Sequence, residues 1–210
     1  MIPMFVFLSL YMQQVLGYSA IKAGLAFLVI AAGIIASSGL AQHLVTRAGA
    51  RLVLAAGLLG FAAAQALFLR LPAVGSYVTD LLPGFVIVAA ALGLAFVGDL
   101  VASATGIRPA DAGLASGLIN ASQQIGGAIG LAVTTTIAAA RTASLLHAGH
   151  PAAAALTAGF HDAFAITGAL ALTGAAVAVG FIRRPPAAPP ASPDLAASSP
   201  GVFRGDRDDS

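Results

Sequence analysis

Within the long apolar stretches of this chain, few side chains can hold a proton, a charge or a hydrogen-bonded ligand. Asp99 is the one acidic residue well inside such a run (GLAFVGDLVASA). A carboxylate at the bilayer centre costs roughly 2.5–3.5 kcal/mol on insertion scales, so an Asp retained there usually faces a cavity. Its place nearer one end of the run lowers that cost, and contact with interfacial water is the plainer alternative. As a proton carrier or a counter-charge for a cation, Asp99 is the candidate for coupling chemistry.

A second polar group lies in residues 112–140. Projected at 100° per residue, Gly113, Gly117, Asn120, Gln124 and Gly127 share one helix face, with Ser116, Gln123 and Thr134 at its edge. Leu114, Leu118, Ile119, Ile125 and Ile129 occupy the opposite face. Glycines let helix backbones approach, and Asn or Gln amides bond across such contacts at roughly 0.6–2 kcal/mol each, so packing accounts for much of the stripe. The polar face is therefore expected to be buried. Gln13 and Gln14 stand near the end of the opening apolar segment, where interfacial hydrogen bonding explains them, and Gln65 is expected to bond between helices. His43, His147, His150 and His161 lack ligand spacing, so no metal site is expected. His161 and Asp162 are adjacent and cannot face each other on a helix. No Ser/His or paired-carboxylate arrangement stands at usable spacing in the apolar stretches, which makes an intramembrane enzyme the weakest reading. The absence of cysteine removes thiol catalysis and disulfides.

The elements that carry these residues follow from composition. With 59% apolar and 9% charged residues and a mean hydropathy of +0.93, the chain has more apolar surface than a soluble domain can hide. A net charge of +2 is no footprint for nucleic acid. A hydrocarbon core about 30 Å thick takes about 20 helical residues. Five runs meet that length, at residues 19–42, 52–71, 79–105, 112–140 and 160–182, and a sixth, residues 1–16, is apolar but short, as if truncated. Since no Lys or Arg precedes Lys22, this opening lacks the cationic start of a signal peptide. The runs are continuously apolar rather than alternating, so the expected fold is all-α and integral to the membrane, with the lipid bilayer as its first partner.

Short cytoplasmic loops carry an excess of Lys and Arg. One alternating set of loops holds Arg47, Arg51, Arg108, Arg183 and Arg184, and the other Lys22, Arg70 and Arg141. This places the Arg47 loop and the C-terminus in the cytoplasm. Residues 185–210, rich in Pro, Ala, Ser and Asp, are expected to be a disordered cytoplasmic tail. One Lys against nine Arg, with abundant Ala, suggests a GC-rich bacterial genome and hence a bacterial cell membrane.

Three strings, LYMQQVLGYSAIKAGLAF (Leu10 to Phe27), RAGARLVLAAG (Arg47 to Gly57) and DAGLASGLINASQQIGGAIGLA (Asp111 to Ala132), resemble the fourteen-span drug:proton antiporter branch of the major facilitator superfamily. The third is the most specific, its order of Gly, Ser, Asn and Gln resembling the penultimate helix of that branch. The resemblance implies that residues 1–184 form the C-terminal six-helix bundle of such a transporter. That bundle would rock against an N-terminal bundle, absent here, around a central cavity for a small-molecule substrate. It implies no cofactor, the proton gradient being the driving force. It also places the helices of Asn120, Gln124, Gln123 and Ser116, and of Gln13 and Gln14, beside the cavity as substrate-path candidates, with Gly113, Gly117 and Gly127 as packing positions. Arg47, Gly49 and Arg51 resemble part of the superfamily's short basic loop. Thr46 stands where an acidic residue is usual and Gln42 where the first Gly would be, and the same arginines also suit the positive-inside rule and lipid phosphates. The alternatives to an efflux transporter are an inactive truncated remnant and a noncatalytic membrane partner. Either the complete protein is longer or the gene is truncated.

Overall fold

The computed structural model describes residues 1–104 and 108–181; Arg183, Arg184 and the tail expected at 185–210 lie outside the described residues. The opening segment forms α1 (Ile2–Leu10), with Pro3 in the first turn, where its missing N–H has no helical partner, and continues as a π-helical turn over Tyr11–Val15. Ser19 caps α2 (Ala20–Ala26), its hydroxyl accepting from the Lys22 N–H at 3.3 Å. Only Phe27 separates α2 from α3 (Leu28–Ala48), so the two make one long span. The chain enters α4 (Ala50–Phe68) through Gly49 at φ +85°, a left-handed backbone that glycine adopts without steric cost. A π-helical turn at Tyr77–Leu81 leads into α5 (Leu82–Ala104), a 3₁₀ turn at Pro109–Asp111 precedes α6 (Ala112–His147), and α7 (Ala152–Phe181) follows. Among the described residues five spans are long and apolar enough to cross a membrane, and Ile2–Val15 is a shorter apolar helix. The fold is all-α.

Several helices outrun their apolar stretches. α3 continues past Gln42 to Ala48, α6 past Ala140 to His147, and α7 begins at Ala152, while α4 stops at Phe68. Polar side chains at these ends find local partners, so helix geometry continues once the apolar run is over. The Thr46 hydroxyl donates to the His43 carbonyl at 2.8 Å, His147 Nδ1 lies 2.7 Å from the Ala143 carbonyl, and Arg141 stands 3.8 Å from Asp162.

Helix α5 lies at the centre, packed on α3 and α4. In turn α4 packs on α7 and α7 on α6, with α1 touching both α6 and α7. Two packing modes hold the bundle. Towards the Lys22 end, aromatic rings run from α3 to α7: Phe27 stacks on Phe85 at 5.5 Å, Phe85 meets Phe68 edge-on at 6.3 Å, and Phe68 meets Phe164 at 5.4 Å. Phe7 of α1 completes the series against Phe164 and Phe160. Such pairs add about 0.5–1.5 kcal/mol each beyond the area they bury. The Tyr11 hydroxyl donates to the Pro72 carbonyl at 2.6 Å and the Tyr77 hydroxyl to the Ala26 carbonyl at 2.9 Å, tying the loops at this end.

Elsewhere the α4–α5 contact is nearly backbone on backbone. A Cβ added at Gly57 would stand 2.7 Å from Ala95 Cα and 2.8 Å from the Ala91 oxygen, and one at Gly98 would stand 2.6 Å from the Leu54 nitrogen. Beside Gly93, the Ser37 hydroxyl of α3 donates to the Ala89 carbonyl at 3.0 Å. The buried Gln65 amide donates to the Thr167 hydroxyl of α7, the interhelical bond expected of it, while its Oε1 has no hydrogen-bond partner among the described residues.

Candidate functional site

The chemistry-bearing residues gather on α6 and on the neighbouring end of α5. At 36 residues, α6 is about 54 Å long at 1.5 Å per residue. Just before it, Arg108 and Asp111 pair at 2.8 Å, both well exposed. The half of α6 nearer His147 is docked: Thr134 is fully buried with its hydroxyl on the Gly130 carbonyl at 2.7 Å, and the Thr142 hydroxyl donates to the Ala155 carbonyl of α7 at 3.3 Å. Gly127 lies against Ile2 of α1.

The other half of α6 is uncovered. Ser116, Asn120, Gln123 and Gln124 are exposed, and so are Leu114 (80%), Leu118 and Ile125 on the opposite face. The expectation of a buried polar face therefore fails within this chain, because α6 touches α7 and α1 only along its other half. A Cβ added at Gly113 or Gly117 would meet nothing within 4 Å among the described residues, whereas one at Gly127 would meet Ile2, so of the three glycines singled out for packing Gly127 is the one set against a neighbour here. The Asn120 amide donates to the Ser116 carbonyl of its own helix at 3.2 Å, and Gln124 has no hydrogen-bond partner among the described residues. Gln123 reaches α5, its Nε2 lying 3.4 Å from Asp99 Oδ2. Asp99 itself is half-buried and has no ion-pair partner among the described residues.

Gln13 and Gln14 sit exposed on the π-helical turn after α1, where Gln13 Nε2 donates to the Ser9 hydroxyl at 2.8 Å. Ser9 borders an apolar groove of about 630 Å³ between α1 and the α2–α3 span, walled by Phe5, Phe27, Ile30 and Ile34. This groove carries no periodic polar signal, so the sequence did not announce it. The basic loop residues flank the α3–α4 turn: Arg47 in the last turn of α3, Gly49 at the turn and Arg51 in the first turn of α4. No carboxylate pairs with Arg47 among the described residues. His161 Nε2 lies 2.9 Å from the Leu71 carbonyl while Asp162 faces Arg141, so the two neighbours do point apart. Among the described residues no group of three His, Cys, Asp or Glu side chains can hold a metal.

Comparisons with known proteins place this bundle in a family. Residues 1–131 match the Major Facilitator Superfamily. The chain is 36% identical over 157 residues to the puromycin resistance protein pur8 of Streptomyces alboniger, covering 71% of this chain and 31% of that protein. It is 37% identical over 170 residues to the cephamycin export protein CmcT of Amycolatopsis lactamdurans, covering 78% and 32%. It is 34% identical over 137 residues to the lincomycin resistance protein of Streptomyces lincolnensis, covering 63% and 27%. The chain spans about a third of the length of these curated relatives. With this match over more than half its length, the chain is a multi-pass membrane protein and belongs to the Major Facilitator Superfamily.

Proposed function

We propose that this chain is the C-terminal bundle of a fourteen-span, proton-coupled transporter that expels drugs or other small molecules across a bacterial cell membrane. It works by alternating access against an N-terminal bundle. The observation that carries this reading is the uncovered half of α6, where Ser116, Asn120 and Gln124 are exposed and a Cβ at Gly113 or Gly117 would meet nothing within 4 Å among the described residues. Polar side chains in a membrane span are turned to a protein neighbour or a water-filled cavity rather than to lipid. An opposing bundle supplies both. The printed names of the relatives, two resistance proteins and one export protein, support efflux as the direction of transport.

In this reading Asn120 and Gln124 line the substrate path, Ser116, Gln123, Gln13 and Gln14 border it, and Asp99 is the candidate carrier of the coupling proton. Uncharged amides can meet varied substrates without demanding one charge. In the complete transporter, Gln124→Leu is expected to lower efflux about fivefold, the equivalent of one net hydrogen bond, while membrane abundance and thermal stability stay at wild-type levels. Abundance and stability falling in proportion to efflux would make Gln124 a packing residue and remove it from the path.

The proposed orientation puts the Arg47 turn and the C-terminus in the cytoplasm. An alkaline phosphatase reporter, active only outside the cytoplasm, is expected to be inactive when fused at Gly49 or after Arg184 and active when fused at Gly75 or Gly149. Reversed activities would overturn the orientation and the helix numbering built on it.

A further inference from the structure

We infer that α2 is a hinged lid that closes the Lys22 end of the groove between α1 and α3, pivoting at Phe27 and held shut by Tyr77. The inference concerns a movement within this chain and stands apart from the transporter reading above.

The groove ends where its two walls converge. Its α1 wall, with Phe5, Ser9 and Leu10, continues into the π-helical turn Tyr11–Val15, and its α3 wall, with Phe27, Ile30 and Ile34, is preceded in the chain by α2. α2 packs on that π-helical turn, and the Tyr18 N–H donates to the Met12 carbonyl at 2.9 Å, so the walls meet at this end. Yet α2 is lightly held. Ala23 is its one buried residue, in the same apolar cluster as Tyr11 and Met12, while Ile21 (78%), Lys22 and Leu25 are exposed.

Both ends of the segment can turn. Before it stands Gly17 at φ +67°, a left-handed backbone with nothing within 4 Å of an added Cβ. After it the helical ladder breaks at Phe27, whose N–H donates to the Gly24 carbonyl at 3.2 Å, three residues back instead of four. The Phe27 ring is fixed to the bundle, stacked on Phe85 and tilted against Phe5, which makes this residue the pivot. At the break the Tyr77 hydroxyl, reaching from the turn before α5, donates to the Ala26 carbonyl at 2.9 Å. A side chain entering the ladder in this way both marks a bend and holds it at one angle. Lys22 Nζ lies 3.7 Å over the Tyr18 ring, a contact inside the segment, so residues 18–26 travel as one body. The body keeps its helix when it swings, because lipid offers no partners for the backbone bonds that unwinding would break. Its apolar Ile21 and Leu25 already suit that environment.

The chain has no cysteine, so Ala23→Cys supplies a single reporter at the surface the lid hides. The test is its rate of labelling by a charged, membrane-impermeant methanethiosulfonate in the purified chain in lipid nanodiscs. Adding Tyr77→Phe, which keeps the ring and its edge-on contact with Phe85, is expected to raise that rate about fivefold, the equivalent of one net hydrogen bond. Ala155→Cys, buried near the start of α7 at the same end of the bundle, should label at an unchanged rate, and amide hydrogen exchange across residues 20–26 should stay as it was. Spin labels at Ile21→Cys and Leu69→Cys, both exposed positions, read the movement without touching Ala23 and should show two distance populations whose ratio Tyr77→Phe shifts. Circular dichroism checks that each variant folds. An unchanged rate at Ala23→Cys or a single unshifted distance would overturn the lid. So would an equal rise at Ala155→Cys, which means a loosened bundle, or exchange rising in step with labelling, which means that α2 melts.

Discussion

Gly57→Val and Gly98→Val are each expected to destabilise the bundle by more than about 3 kcal/mol, enough to prevent recovery of folded chain from membranes. The reason is geometric. At Gly57 the first carbon of any side chain meets the backbone of Ala91 and Ala95, and at Gly98 it meets the backbone of Leu54. A flexible side chain could move aside at little cost, but here the obstacle is helix backbone, so α4 and α5 must part along their whole contact. That contact holds the centre of the bundle, and α3 and α7 are anchored through it. Gly117→Ala is the control, since a Cβ there meets nothing within 4 Å and alanine favours helix. The check is thermal unfolding of purified protein in detergent, followed by circular dichroism. If Gly57→Val melted together with wild type, α4 and α5 would not be in backbone contact.

The second large effect concerns transport itself. Vesicles reconstituted with this chain alone are expected to give dye efflux no faster than empty vesicles, although the chain inserts. Joined in frame to an N-terminal bundle from the same superfamily branch, it should support efflux that a protonophore abolishes. If, as proposed, this bundle presents half of a cavity, the substrate path stays open along one side, and no conformation closes it to one solution and opens it to the other. Proton-driven efflux from vesicles holding this chain only would overturn the need for a different opposing bundle, and would point to two copies facing each other.

The membrane spans were readable in the sequence because the physics that selects them is local: about 20 apolar residues in succession have few other uses. The helix ends were less so. Arg141 looks like the close of a span, yet α6 runs on to His147, with Arg141 3.8 Å from Asp162 of α7, twenty-one residues on. Gln65 was legible as a bonding residue but its partner was not, since Thr167 lies 102 residues away and only the α4–α7 contact joins them. For the same reason nothing in the sequence connected Asp99 with Gln123. The α6 stripe shows the deepest limit. Whether a face is covered depends on the neighbours a helix has, and among the described residues this half of α6 stays largely exposed, with Gln123 reaching Asp99 of α5.

Helices α4 and α6 differ in length almost twofold, 19 against 36 residues. At 1.5 Å per residue, α4 measures about 28 Å and matches a hydrocarbon core of about 30 Å. Measured from Arg141, Gln123 already lies about 27 Å away, so the turns from Ala112 to Ser122 stand beyond the thickness that α4 sets. Hydrophobic mismatch of this kind is relieved by tilt, by local thickening of the bilayer or by protein cover, at fractions of a kcal/mol per Å. Leu114 and Leu118 project from those turns and make water a poor environment for them, while Asn120 makes lipid a poor one. Bilayer thickness thereby acts on α6 more than on α4. Lipids with shorter or longer acyl chains will change the tilt of α6 first, and with it the angle at which the amides are presented.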